Sequence, residues 1–433
     1  MREKIAIIGG GLAGLVAGYD LAKAGFEVVV FEKEEKLGGL ASGFKFPSWE
    51  WQLERTVHHI FANDEDILNL AKEIGFSEIF FRSPLTGSVY KKGEKYEIFA
   101  LDTPFNFLKF PLLPLKDKIR AAAIIAFLRF SPFLSFFERQ KALDFLESSM
   151  GKRANEVLWR ELFRKKFGKY AEKILLSFFW ARIKKRTKNL GYVKGGFQAF
   201  VDHLEAKFKS FAGRVVKGGA VEAVEIEKGK FKVLTVNRVF SGFDKIIFAL
   251  QLPLVLKIGR KILPEGFVKQ SSKIAYLHAA SLVLETDKEI VNDFYWVNAT
   301  EESLPFMGVF QHTNFVDKKY YGGKHICYIG WYCKENDWIW RFSEKEVLKK
   351  VLPYLKLLGF KGEILRAKLF KTPFAQPIFD EYFVRHKPSF RLPTPGLFFA
   401  GFELSYPYDR GTNYAIRVGR GVAKLVVDKK LKS

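Results

Sequence analysis

Three clusters in this sequence combine residue types and spacings suited to chemistry. The first is Gly9-x-Gly11-x-x-Gly14, followed 18 residues later by Glu32. In such a run the first glycine allows the turn out of a strand, and the second lets a pyrophosphate approach the backbone. The third lets helix and strand pack closely. Phosphates would then sit on the N–H groups and positive helix end at Leu12 and Ala13. Glu32 would accept hydrogen bonds from a ribose diol and repel a 2′-phosphate. The pattern predicts a dinucleotide site, for FAD or NAD(P), and the turn alone does not choose between them.

The second cluster is WQLERTVHHIFANDEDI, which brings Glu54, Arg55, His58 and His59 into one short loop. Either histidine could border a cofactor or substrate; the alternative is hydrogen-bonded packing. The third is SYPYDRGTNYA, with Tyr406, Tyr408, Asp409, Arg410 and Tyr414. Arg410 suits bidentate contact with an anionic substrate group, or else an ion pair with Asp409 or Glu403 that fixes its loop. No set of residues has metal-ligand spacing. The two cysteines, Cys327 and Cys333, fit neither a zinc nor a thioredoxin motif, which predicts no metal, no disulfide framework and a reducing cytoplasm.

The elements that must position these groups are legible in part. Lys4–Ile8 reads as a strand, 12–24 as a helix stopped by Gly25, and 27–32 as a valine-rich strand. This β-α-β unit begins a doubly wound sheet and is a fold element, not a signal peptide. Glu65–Ile74 reads as a helix capped by Asn63 or Asp64 and stopped by Gly75. GGFQAFVDHLEAKF is a further helix, GRVVKGGAVEAVEIEKGKFKVLTVN gives short strands about glycine turns, and DKIIFALQLP is a buried parallel strand. Aromatic and β-branched runs dominate 268–385, with one helix near Glu344–Leu357. Its Trp296, Trp331, Tyr332, Trp338 and Trp340 either line an aromatic pocket or pack a sheet. The expected fold class is α/β. A Rossmann-like dinucleotide domain (1–90, 190–265 and 390–433) is interleaved with a substrate domain, helical over 91–189 and sheet over 266–389.

Charge adds a further constraint. The net charge is +24, and 152–188 holds 13 Lys/Arg against three Glu. Such a stripe attracts nucleic acid, anionic lipid or an acidic substrate, or is simply a solvated helical face. No nucleic-acid motif accompanies it, so nucleic acid is not an expected partner. Residues 105–137 place eight phenylalanines among basic residues, and the longest apolar run, 121–128, is too short to span a bilayer. The segment either dips into a membrane surface or forms helix core.

After Glu32 and Lys33 the chain continues to Leu37-Gly38-Gly39, a second glycine turn. On this turn, on GAVEAVEIEKGKFKV…FDKIIFALQLP and on GLFFAGFELSYPYDRGTNYAIRVGRGVA, the sequence resembles a large FAD family. That family includes monoamine oxidases, protoporphyrinogen oxidases, phytoene desaturases and UDP-galactopyranose mutase. The resemblance implies a glutathione-reductase-type FAD domain. In it the backbone at Gly38, Gly39, Leu40 and Ala41 wraps the phosphates and ribityl chain, and Val221 holds the adenine. Gly401, Phe402 and Glu403 would lie by the ribityl chain, and Thr412, Asn413 and Tyr414 would face the flavin pyrimidine. His58 and His59 would run close to the ring. The match has departures: Leu40 stands where many members carry arginine, and Phe402 where many carry an acid, with Glu403 one later. The final segment has no cysteine, so the FAD is expected to be non-covalent. The implied activity is hydride removal from a hydrophobic or cyclic small molecule, or from an anionic one. An alternative rests on His58-His59-Ile60-Phe61, similar to the mutase branch, and on the basic surplus: a non-redox flavoenzyme acting on a sugar nucleotide. A third is a structural FAD with the 105–137 region as a membrane or partner platform.

Overall fold

The computed structural model describes residues 2–430. Five parallel strands form its first sheet: β1 (Lys4–Ile8), β2 (Glu27–Phe31), β3 (Arg214–Val216), β4 (Lys245–Phe248) and β5 (Leu397–Phe399). Their order is β3-β2-β1-β4-β5. The order reverses between β1 and β4, so the crevice at their carboxyl ends is the topological switch point where such sheets bind ligands.

Each face of this sheet is covered, which is why its strands are apolar throughout. Ile5, Ile7, Val28 and Val30 point to one side, into a core shared with α1 (Leu12–Lys23), α2 (Glu65–Ile74), α3 (Phe197–Ser210) and α4 (Thr412–Lys430). Ala6, Ile8, Val29 and Phe31 point to the other, where Phe31 meets Phe240 and Phe243 edge-on. Those phenylalanines belong to an antiparallel meander of Val221–Glu227, Lys230–Thr235 and Val239–Phe243.

The second body is a seven-stranded sheet, in the order Ile364–Pro377, Tyr276–Thr286, His325–Cys333, Gly308–Gln311, Phe294–Ala299, Leu85–Lys92 and Lys95–Ala100. Its ladders are antiparallel except between Phe294–Ala299 and Leu85–Lys92. Leu282, Leu284, Cys327 and Ile329 pack under Val347, Val351 and Leu355 of the helix Glu344–Leu357, which opens with a Ser343/Glu346 capping box. Val283, Ile326 and Tyr328 face the other way, into the core shared with the first sheet. The hairpin 85–100 lies across the boundary expected at residue 90. Helices between Pro104 and Lys185 complete this half.

Local expectations met specific outcomes. The strand before Glu32 ends at Phe31, so Glu32 projects past the sheet. Short helices at Trp338–Arg341 and Glu381–His386 join the one expected in the 268–385 region. Asp64 stands at the N-cap of α2, but its Oδ2 accepts from the Phe61 N–H (2.8 Å). The Ile67 N–H of that first turn is instead satisfied by Asn413 Oδ1 from α4 (3.1 Å), so the cap comes from 346 residues away.

Gly14 sets the distance between β1 and α1. A Cβ there would stand 2.0 Å from the Gly9 carbonyl oxygen, which no backbone shift can absorb locally. Gly14→Ala should therefore destabilise the fold by about 1–3 kcal/mol. Gly266→Ala, where nothing lies within 4 Å, should leave stability unchanged or slightly raised. Urea melts of both variants check this, and equal midpoints would contradict it.

Candidate functional site

At the switch point two glycine turns meet. The Gly38 N–H donates to the Gly10 carbonyl (2.9 Å), and Gly11 and Gly38 form a parallel bridge. Gly38 and Gly39 hold φ of +115° and +57°, which favour glycine. A Cβ on Gly11 would meet only Gly39 Cα, at 3.9 Å, and Gly39 is exposed. The missing side chains leave a cradle beside the start of α1, where Leu12 and Ala13 present helix N-terminal N–H groups. Glu32, buried at the end of β2, accepts from the Gly10 N–H through Oε2 (2.8 Å) and from the Glu34 N–H through Oε1 (3.0 Å). Each oxygen keeps a lone pair for a further donor. Lys33 is exposed and 3.7 Å from Glu34, Leu40 is half-buried and Ala41 buried. Val221 opens the meander beyond Gly218, whose backbone runs close against Glu35.

The far wall comes from the segment after β5. Gly401 and Glu403 are buried and Phe402 half-buried. Glu403 Oε1 accepts from the Leu252 N–H (2.8 Å) and the Tyr276 O–H (2.7 Å), so it ties the first sheet to the second. Burial pushes its carboxyl up to about 7, and its Oε2 has no partner. Thr412 Oγ1, at the start of α4, is likewise buried without a partner. The Asn413 side chain is occupied at α2, donating to Asp66 Oδ2 (2.9 Å) while accepting from Ile67. Only its main chain is left to face the crevice. Tyr414 stacks on Tyr408, centroids 4.8 Å apart. A glycine cradle at one end and an orphaned hydroxyl at a helix N-terminus at the other fit a dinucleotide cofactor lying between them.

His58 donates its Nδ1–H to the Thr56 carbonyl (2.8 Å), which leaves Nε2 as an acceptor in the neutral ring. Burial, then the charge of Arg410, lowers its pKa to about 4. His59 packs against Phe61 and Trp296, with Nδ1 3.4 Å from the Tyr295 hydroxyl. Burial, then Arg186, lowers it to about 3. Both rings are neutral at pH 7 and keep part of their surface accessible.

The loop carrying Arg410 holds more charge than its own sequence displays. Asp409 Oδ2 accepts from Lys166 (2.7 Å) and from Arg182. Burial opposes its ionisation, but Lys166 and Arg182 outweigh this and hold the carboxyl well below the usual range. Arg410 therefore pairs with neither Asp409 nor Glu403 through its guanidinium. It donates to the Ala375 carbonyl and lies over the Tyr332 ring (5.1 Å). Arg186 lies over Trp296 (5.3 Å).

The aromatic run expected to line a pocket is thus divided. Trp296 packs on His59 beneath Arg186, and Tyr332 lies beneath Lys166 and Arg410, whereas Trp331 and Trp338 pack together, with Trp331 Nε1 bonded to the Pro305 carbonyl, and Trp340 stacks on His278. Lys166, Arg182 and Arg186 had been legible only as members of the basic stripe. Glu54, expected in the loop, is fully buried and accepts from the Phe197 N–H (2.6 Å) and the Tyr192 O–H (2.7 Å). Among the described residues no cluster of His, Cys, Asp and Glu could hold a metal ion.

The chain matches the family model described as flavin containing amine oxidoreductase over residues 12–427. It is similar to 15-cis-phytoene desaturase of Solanum lycopersicum, 21% identical across 98% of this chain and 77% of that protein. It is also similar to carotenoid 3,4-desaturase of Haloarcula japonica, 34% identical across 22% of each. The chain spans only 22–28% of the length of the first curated relatives it matches. Among solved structures, cyclohexylamine oxidase from Brevibacterium oxydans superposes with a TM-score of 0.74 at 13% identity, over 100% of both chains. An oxidoreductase from Methanosarcina mazei gives 0.73 at 20% identity, over 98% of this chain and 99% of that one. At these identities the structural likeness is one of fold.

Burial raises Glu54, like Glu403, from 4.5 to about 7. Both carboxyls bind protons more tightly folded than unfolded. Their contribution to stability is full below about pH 4.5 and is lost as pH rises through about 7. Glu54→Gln should therefore flatten the fall in unfolding free energy between pH 5 and pH 8 by roughly 1–3 kcal/mol. Denaturant melts at the two pH values check this; an unchanged slope would contradict it.

Proposed function

We propose that this chain, which belongs to the flavin containing amine oxidoreductase family, is an FAD-dependent oxidoreductase of the oxidase or desaturase type. Its substrate is a hydrophobic or cyclic small molecule. The observation that carries this reading is the pairing of the Gly11/Gly39 cradle with the orphaned Thr412 hydroxyl at the start of α4. When bound, the flavin supplies the acceptor for a hydride. The backbone at Gly9, Gly11, Leu12, Ala13 and Gly14 holds the pyrophosphate, Glu32 the ribose hydroxyls, and Gly38–Ala41 the neighbouring chain. The main-chain N–H groups of Thr412, Asn413 and Tyr414, at the positive end of α4, favour negative charge at the ring edge that meets them. Trp296, Tyr332 and His59 exclude water. His58 Nε2, unprotonated at neutral pH, is an acceptor for a substrate proton or hydrogen bond. Cys327 and Cys333 are both buried in the second sheet, and burial raises their thiols, which supports a non-covalent FAD.

The gathering of Lys166, Arg182 and Arg410 at Asp409, with Arg186 near Arg182, favours a second reading, a non-redox flavoenzyme on a sugar nucleotide. One experiment separates the two. Anaerobic addition of amines, polyenes and porphyrinogens should bleach the flavin absorbance in stoichiometric amounts. Failure of all three classes, together with turnover of a UDP-sugar only after dithionite reduction, would contradict the first reading and leave the second.

We also propose that the protein docks on a membrane surface. Among the described residues no helix is long and apolar enough to cross a membrane. Yet the helices Pro104–Lys109, Leu115–Phe130 and Leu134–Phe137 leave Phe105, Leu115, Ile119, Phe127, Phe130 and Phe133 exposed. Exposed Lys109, Lys116, Arg120 and Arg129 lie among them. The segment thus buries Phe110, Ala121, Leu128 and Phe137 on one side as helix core, and its outer side matches an interface that buries rings and attracts anionic headgroups. The protein should sediment with liposomes containing anionic lipid, and Phe130→Asp with Phe133→Asp should cut the bound fraction several-fold at unchanged stability. Equal sedimentation of wild type and variant would contradict this.

A further inference from the structure

The basic stripe of 152–188 does not all face solvent. Arg182 lies in the last turn of the helix Leu176–Lys185, and Arg186 follows four residues later, on the same helical face. Lys166 comes from Glu161–Phe167, Arg410 from the loop before α4. Lys166 and Arg182 converge on Asp409 Oδ2, and Lys166 and Arg410 both lie 5.1 Å from the Tyr332 ring centroid. His59, packed on Trp296, feels both Arg186 and Arg182. Lys166, Arg182 and Arg410 thus act on one carboxylate, and Arg186 lies within the field of Arg182.

Two of the four are not paired. Among the described residues no carboxylate lies within ion-pair distance of Arg186 or Arg410. Arg186 has a single side-chain hydrogen bond, 3.4 Å to Thr86 Oγ1, and Arg410 a single one, to the Ala375 carbonyl. Each guanidinium carries five N–H donors. Arg186 is exposed by area, yet its surroundings desolvate it enough to lower its pKa to about 10. Its charge acts on His59 as that of Arg410 acts on His58, so the two guanidiniums flank neighbouring rings. Each ring beneath a guanidinium holds its plane by cation–π contact and leaves the edge of the fork free. Two guanidiniums without a carboxylate partner beside this cluster favour the arrival of a negative group.

We propose that Arg186 and Arg410, backed by Lys166 and Arg182, form an anion-binding subsite that takes a carboxylate or phosphate group of the substrate. Asp409 keeps Lys166 and Arg182 in place and is itself neutralised by them, so it does not repel the incoming group. The subsite rests on the reading of this cleft as the substrate chamber, and it holds for either activity set out above. It makes the substrate amphipathic: an apolar body against Trp296 and Tyr332, and a negative end on the two arginines.

The test uses FAD-loaded protein, so that the glycine turns are already occupied. Pyrophosphate and succinate are titrated separately, with calorimetry and tryptophan emission as readouts, because Trp296 lies under Arg186. Saturable binding of at least one probe is expected. It should weaken at least tenfold in Arg186→Gln and in Arg410→Gln and stay unchanged in the exposed-surface control Lys349→Gln. Tighter pyrophosphate binding assigns the subsite to phosphate, tighter succinate binding to carboxylate. Retained flavin absorbance verifies the fold of each variant. If one variant fails to fold, the other decides. If both fail, saturable quenching in wild type at constant ionic strength supports the subsite, and its absence overturns it. No saturable binding to wild type, or equal affinity in the folded variants and control, overturns the proposal. Loss of FAD affinity itself would instead count against the reading of the cleft, so the two failures are distinguishable.

Discussion

The close approach of α1 to the end of β1 is the constraint on which the rest depends. A Cβ at Gly14 would penetrate the Gly9 carbonyl, and one at Gly9 would come 2.5 Å from the Ala249 carbonyl. With hydrogens in place of side chains, the helix start, the turn and the end of β4 share one small volume. Only then does the positive end of α1 open onto the crevice, with Gly38 close enough to donate back to Gly10. Backbone donors gathered this way, with no side chain between them, form a site for an anion.

The same economy of contact governs the other end. Glu403 joins β4 and the second sheet through Leu252 and Tyr276, and Asn413 joins α4 to α2 through Ile67 and Asp66. These polar links fix where α4 begins relative to both sheets. Beside them Thr412 Oγ1 is buried without a hydrogen-bond partner. In the second sheet Trp296 and Tyr332 carry cations on their faces, Arg186 on the first and Lys166 and Arg410 on the second, so aromatic and cationic surface are joined there.

Much of this was written in local sequence. The glycine spacing, Glu32 and the strand periods of β1 and β2 depend on contacts within about thirty residues, so pattern and propensity suffice there. The closing helix and the double-glycine turn were legible for the same reason. What stayed hidden depends on which way a side chain faces after long-range packing. Lys166, Arg182 and Arg186 read like their solvated neighbours, because charge runs carry no mark of inward rotation. The cap of α2 looked local and is supplied by Asn413. His58 and His59 gave type and place but not protonation, which burial decides. The exposure of Phe130 and Phe133 likewise followed from how the helices pack, not from their composition.

The structure of the protein crystallised with FAD tests the central claim most directly. The account predicts the pyrophosphate against Gly11–Ala13, a ribose diol on Glu32, and the pyrimidine edge of the ring within hydrogen-bond distance of the Thr412–Tyr414 N–H groups. Protein that cannot be loaded with FAD, or a flavin whose ring lies away from the start of α4, would contradict it.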